Sequence, residues 1–219
     1  MHDLRMRIQG FMFLTMFVLL SSFAKGQTFP QENWYEGNVT LSDGEKKQGT
    51  IKYDLETNTI QLQWNDKIET YHASQFITFS IYLEEEKLNR SFYVLPHANV
   101  SDYKRPTIFE LILEGEISLL AREYIATRND AANNGFMGSR WGAFNNPFPT
   151  TFSTQYLAFR LFLVDKEANI KALSNNRNDV IAAFGAHQKE LKKYVKAEKI
   201  KVDRVADVAD LVRYFNQLN

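Results

Sequence analysis

The sequence predicts an α+β protein: an antiparallel β-meander (a sandwich or an open barrel) followed by a C-terminal helical cap of about three short helices. Three observations predict it. Apolar residues alternate with polar ones through most of the stretch from Gly37 to Leu173, the period of half-buried strands. Aromatic residues are plentiful, with 17 Phe and 10 Tyr, and they favour a pleated surface. From residue 174 onward the apolar spacing lengthens to three and four, the repeat of a helix.

The first strand carries Val39 and Leu41 in alternation with polar neighbours, and Asp43-Gly44 offers a tight hairpin turn. The chain returns through Ile51 and Tyr53, turns at Asp54 to Asn58, and runs out through Ile60, Leu62 and Trp64. Asn65-Asp66 turns it into Ile68 to His72. Ile77, Phe79, Ile81 and Leu83 are expected on one strand face. Glu84 to Asn89 reads as a charged turn, Phe92 and Val94 as the next strand, and Pro96 to Pro106 as a polar loop. Phe109, Leu111 and Leu113 alternate, Glu114-Gly115 turns, and Ile117, Leu119 and Ala121 return. All these connections are short enough for hairpins.

The rhythm then stops. Arg128 to Thr154 is rich in Asn, Gly and Pro, and long for a structureless connection in a compact domain. Strand pattern resumes with Leu157, Phe159, Leu161 and Leu163, and Ile170 to Leu173 makes a short return after a turn at Asp165 to Asn169. Val180, Ile181 and Phe184 mark one short helix that ends near Gly185. Leu191, Tyr194 and Val195 mark a second. Asp203 can cap a third, whose stripe of Val205, Val208, Leu211, Val212, Phe215 and Leu218 is suited to docking on the sheet.

The N-terminus predicts export. Arg5 and Arg7 precede an uncharged run from Ile8 to Ala24, whose strongly apolar part is only Phe11 to Leu20. That is shorter than the roughly 20 residues of a spanning helix and fits the apolar core of a secretory signal. Ala24-Lys25-Gly26 supplies small residues for cleavage, and Ser22-Phe23-Ala24 offers a second cut. Residues 1–26 therefore read as a signal peptide, 27–173 as an antiparallel β domain with the long loop 128–154, and 174–219 as the helical cap. Formal charge is +0 overall, so the chain left after cleavage is about two units negative, with no basic field to argue for nucleic acid. No later segment reaches spanning length. Cysteine is absent, which excludes both a disulfide framework and a lipid-anchored lipoprotein. The Asn-x-Ser/Thr triplets at Asn38, Asn89 and Asn99 matter only in a eukaryotic secretory route, which the missing cysteines argue against.

No catalytic, cofactor or metal signature stands out. His72 and His97 have no metal-ligand spacing around them. Gly138-Ser139-Arg140-Trp141-Gly142 has its Ser one place early for a nucleophile elbow. Glu84-Glu85-Glu86 lacks the alternating oxygens of a calcium loop. The lysines from Lys189 to Lys201 read as a solvated helix face. Gly49, Ile51, Asp54, Asn58 and Leu62 stand in an order that resembles the first motif of the Sm family of small RNA-binding barrels. The gaps are one residue short and no second motif follows, so these residues read as hairpin formers.

The candidate interaction surface is the long loop, where Phe136, Arg140, Trp141, Phe144 and Phe148 sit among Gly, Asn and Pro. Such aromatics either fold down as a lid or present a binding surface. Trp34-x-x-Gly37 to Asn58-x-Ile60, Phe92-Tyr93-x-Leu95-Pro96, and Lys193-Tyr194-Val195 to Tyr214-Phe215-Asn216-x-Leu218 together resemble an uncharacterised exported protein family of Bacteroidota. That resemblance implies a cell-envelope setting and brings no activity with it. The expected function is a non-catalytic interaction or structural protein with an envelope protein partner. The alternative is a module that binds a glycan or other small ligand through the loop, and an exported enzyme stands third.

Overall fold

The computed structural model describes residues 29–98, 103–131 and 151–218. The chain divides into two compact units, Met1–Pro30 and Gln31–Asn219, and the sheet and helices belong to the second. The N-terminal stretch expected to be a signal peptide, the loop residues Phe136 to Phe148 and the Gly138–Gly142 stretch lie outside the described residues.

Among the described residues ten strands form one antiparallel sheet: β1 (Tyr35–Leu41), β2 (Lys46–Asp54), β3 (Thr59–Trp64), β4 (Lys67–His72), β5 (Phe76–Leu83), β6 (Leu88–His97), β7 (Arg105–Leu113), β8 (Ser118–Ala131), β9 (Thr151–Val164) and β10 (Ile170–Ala172). Helices α1 (Arg177–Ala183), α2 (Gln188–Ala197) and α3 (Val205–Leu218) come after them. The α+β architecture with its helical cap is thus as the sequence predicts, and the sheet is a single open one rather than a sandwich. Its order is β10-β9-β8-β7-β6-β5-β1-β2-β3-β4. Eight of the nine strand-to-strand connections join neighbours. The exception is β4 to β5, because β5 returns to pair with β1 and leaves β4 as an outer edge.

Turn chemistry accounts for the hairpins. Gly44 takes φ +90°, and Asn58, Asn65 and Asp66 also sit at positive φ, where Asn and Asp cost little. Asp54 caps its own turn by accepting the N–H groups of Glu56 and Thr57 at 2.8 and 3.1 Å. Gly37 and Gly49 pair across β1 and β2. A Cβ on either would stand 2.2 Å from a backbone carbonyl, of Ser80 or of Gln63, so close backbone approach requires both.

The registers place one apolar face on Val39, Ile51, Tyr53, Phe79, Ile81 and Phe92, and carry it on to Ile108, Ala121 and Leu161. At one end this face packs on itself around the stacked Phe79 and Phe92 rings, 4.4 Å apart. At the other end the helices cover it. Val180, Ile181, Leu191, Val208, Leu211 and Phe215 pack on Leu119, Ala121, Leu161 and Leu163. Asn176 caps α1 by accepting the Asn178 N–H at 2.8 Å, and Gly185 ends it at φ +74°. On α3, Asn216 clips the β7–β8 turn, accepting from Ile117 N–H at 3.0 Å and donating to its carbonyl at 2.9 Å. On the opposite face a smaller cluster forms from Phe109, Leu120 and Phe162.

Four local expectations change. Ile77 is half exposed, because the register shifts at Thr40/Leu41 and Phe76 takes the buried place. Leu113 leaves the alternation at a bulge after Leu111. The polar loop from Pro96 shrinks, since β6 runs to His97 and pairs Pro96 with Pro106. Finally, the ladder between β8 and β9 continues to Ala131 and Thr151, so residues 128–131 and 151–154 are strand and not loop.

Candidate functional site

Two arrangements stand out: a buried polar cluster inside the curled sheet, and a two-stranded arm that leaves it.

The cluster joins residues far apart in the sheet. Tyr53 on β2 donates its hydroxyl proton to Glu123 on β8. Arg90 on β6 grips Glu110 on β7 with a two-pronged contact, Nε to Oε1 and Nη2 to Oε2, both 2.7 Å. Its Nη2 also reaches Glu123 at 2.9 Å and its Nη1 the Tyr53 oxygen at 2.9 Å. Between β2 and β8 stand four strands, which would separate them by about 24 Å in a flat sheet. Side-chain contact across that distance requires a strong curl. Tyr53, Glu110 and Glu123 are nearly inaccessible. Burial, and then the charge of Glu123, hold the Tyr53 phenol protonated well above its usual range. Burial alone would lower the Arg90 guanidinium, but Glu110, Tyr53 and Glu123 outweigh it and raise it. Every charged group here is engaged by another, and of the cluster Tyr53 alone borders one of three surface cavities among the described residues, beside Gln31 and Thr59. The arrangement is a structural lock between the two apolar clusters.

The arm begins where β8 parts from β7. Those strands pair only at Glu110↔Ala121, Leu111↔Leu120 and Leu113↔Leu119, whereas β8 and β9 pair over their full length. From Arg122 outward β9 is the one strand that pairs with β8 among the described residues. On its other side β9 meets β10 at Phe162 to Val164, and Leu161 accepts one more bond from Leu173 N–H at 2.8 Å. Because Leu161 turns its backbone toward β10, so do Phe159, Leu157 and Gln155 by the strand's alternation. Among the described residues no strand pairs with that edge.

Tyr124, Tyr156 and Phe159 on this arm are each about two-fifths exposed. Tyr124 lies opposite Ala158 and Tyr156 opposite Ala126, which makes the two tyrosines diagonal neighbours on one face. The Arg160 guanidinium covers the Tyr124 ring at 5.1 Å. A cleft of about 800 Å³ runs between the arm and the start of α3, with Leu173, Ser174, Val202 and Val205 as its far wall. Ala131 pairs with Thr151, so the segment with Phe136, Arg140, Trp141, Phe144 and Phe148 leaves and rejoins the chain at the end of this arm.

Of the histidines weighed in the sequence, His72 ends the exposed edge strand β4, and His97 packs edge-on against Phe109 and Phe162 at 5.4 Å. Among the described residues no group of three or more His, Cys, Asp or Glu side chains is placed to hold a metal. Sequence reasoning missed both the buried cluster and the open strand edge. Charged residues at strand positions whose register partners are apolar were the available signal for the first. Comparison with protein-family models, with curated proteins and with solved structures gives no match.

Proposed function

We propose that this chain is an exported, non-catalytic interaction protein of the cell envelope that holds an extended segment of a protein partner against the open edge of β9. The observation that carries this reading is the edge itself. Phe159 and Leu157 carry outward backbone donors and acceptors and line a cleft of about 800 Å³ together with Tyr156. An added strand would satisfy those groups, while the cleft would take alternate side chains. Long open edges are aggregation hazards that folded proteins cover. Export rests on the basic start, the short apolar run and Ala24-x-Gly26, and N-terminal sequencing of the exported protein should begin at Gln27, or at Lys25 for the other cut. Intact Met1 in the membrane fraction would refute cleavage.

The decisive variant is Leu157→Pro. It removes one outward N–H and leaves the β8–β9 ladder intact, a position where proline is tolerated. Tagged wild type should retain a partner from its own envelope, and Leu157→Pro should lose it while melting within a few degrees of wild type. Equal retention by both proteins would refute edge addition. The diagonal tyrosines beside Arg160 favour a second reading, a platform on which a sugar ring stacks. A saccharide would be lost on Tyr124→Ser/Tyr156→Ser and indifferent to Leu157→Pro.

A further inference from the structure

We propose that the cavity beside the β2–β3 turn is a binding site for a small ligand bearing an oxyanion, a carboxylate or a phosphate. The cavity holds about 480 Å³, within the range of small-molecule sites. Its wall brings together Arg105, Arg122, His72 and His97 with the hydroxyl-bearing Thr57 and Ser74. Glu56 is the one acid in that wall, and it is exposed.

Arg122 carries the inference. Where β8 parts from β7, the β2–β3 turn fills the gap. Asn58 Oδ1 accepts from Ile108 N–H at 3.0 Å and from Arg122 Nη1 at 3.0 Å. The same Nη1 donates to the Ile108 carbonyl at 2.9 Å, and Nη2 to the Leu55 carbonyl. All three acceptors are neutral. Among the described residues no carboxylate forms an ion pair with Arg122. A guanidinium offers about five N–H donors, so three engaged leave two. No fully buried side-chain nitrogen or oxygen lacks a partner among the described residues, so Nε of Arg122, which makes none of these bonds, is not sealed away. Arg122 is also the direct cross-strand partner of Arg160, a like-charge pair that is unfavourable without an anion. Burial first, and then Arg160, lower the Arg122 guanidinium to about 10, against the pull of Asp54. The cation is thus held in place by neutral groups and faces a cavity whose rim adds a second arginine. Arg105 is exposed, with neither a side-chain hydrogen bond nor an ion pair among the described residues. Two guanidiniums in a wall that also carries hydroxyls match the several acceptor oxygens of a carboxylate or phosphate.

The test titrates the full exported chain with inorganic phosphate and, separately, with acetate, and reads heat by calorimetry. Saturable binding of either anion in the millimolar range or tighter is expected, and which of the two binds tells phosphate from carboxylate. Arg105→Gln should weaken it about tenfold or more, the usual loss for a charge-assisted contact. Lys192→Gln removes the same charge away from the cavity and should leave binding unchanged. Arg122→Lys keeps the charge and removes the fork, and should also weaken binding where it folds. Absence of saturable binding to the wild type, or equal weakening by Arg105→Gln and Lys192→Gln, would overturn the proposal.

Discussion

Replacing Arg90 with Met tests whether the buried cluster holds the curled sheet together. Arg90 makes four hydrogen bonds of 2.7 to 2.9 Å to Glu110, Glu123 and Tyr53. Its side chain is about 10% exposed, and Glu110 and Glu123 are about 10% and 3% exposed. Met keeps the volume but leaves two carboxylates facing one another with no cation. Removing one partner from a buried pair costs about 3–5 kcal/mol, because the remaining charge stays desolvated. Against a total stability of about 5–15 kcal/mol for a domain, that is a large share. For a domain of this size each kcal/mol lowers Tm by about 2–4 °C, so the fall should be roughly 6–20 °C. Urea unfolding followed by tryptophan fluorescence supplies the free energy, and calorimetry supplies Tm. The triple variant Arg90→Met/Glu110→Leu/Glu123→Leu replaces the whole charged set with apolar groups and should recover most of the loss. A loss below about 1 kcal/mol for Arg90→Met, the size of a solvated surface pair, would refute the reasoning.

Three further outcomes are expected. Gly49→Ala should destabilise by about 1–3 kcal/mol or prevent folding, since its Cβ would meet the Gln63 carbonyl at 2.2 Å, whereas Ala at Gly44 meets no atom within 4 Å and suffers only from its φ of +90°; urea midpoints compare the two. Phe215→Ala, which removes a buried ring lying 5.0 Å from that of Phe184, should cost about 3–5 kcal/mol, and Lys192→Ala on the exposed face of α2 close to nothing. The Glu69 carboxyl is held below its usual range by the Tyr71 hydroxyl and then the Lys47 ammonium, and Asp165 by the side chain and backbone of Asn169. The unfolded chain therefore takes up these protons at higher pH than the folded one. Their stabilisation is present above about pH 4.3 and is lost as pH falls through the folded values. Glu69→Gln should flatten part of that acid slope in pH-dependent urea unfolding.

Strands, turns and helix stripes were legible because each is a local property. Asn58, Asn65 and Asp66 announce positive φ through their side chains, and Leu211, Val212 and Phe215 announce a buried stripe by spacing. The position of β5 was not legible. Antiparallel pairing of β5 with β4 or with β1 satisfies the same alternation, and the choice depends on the curl of the whole sheet. Glu110 was missed for a related reason. Between Phe109 and Leu111 it reads as the outward residue of an alternating strand. In fact Thr107 to Glu110 are all buried, because β7 has apolar clusters on both faces. The alternation then marks two interiors, one of which is charged. The residues proposed as the interaction surface from composition lie outside the described residues, while the β8–β9 arm that leads to them carries the exposed aromatics Tyr124, Tyr156 and Phe159.

The neighbours Arg122 and Glu123 explain why that strand stands away from the sheet yet remains anchored to it. Successive side chains on a strand point to opposite faces. Glu123 turns inward to Tyr53 and Arg90. Arg122 turns to the other face, where it binds Leu55, Asn58 and Ile108. Both contacts reach β2 or the turn after it, although β2 lies five places from β8 in the sheet order. The β2–β3 hairpin therefore grips the root of the arm from both sides. It also supplies Ile108 with the N–H acceptor that β8 would have provided had the ladder continued. The parting of β8 from β7 is thus compensated, group by group, by a segment some fifty residues earlier in the chain. It leaves Arg122 without a carboxylate partner among the described residues, while the open edge of β9 has a different origin, the shortness of β10, which pairs only with Phe162 to Val164. The arm is thus held at its root by two adjacent residues that face opposite ways, and the cavity beside Arg122 lies at that root.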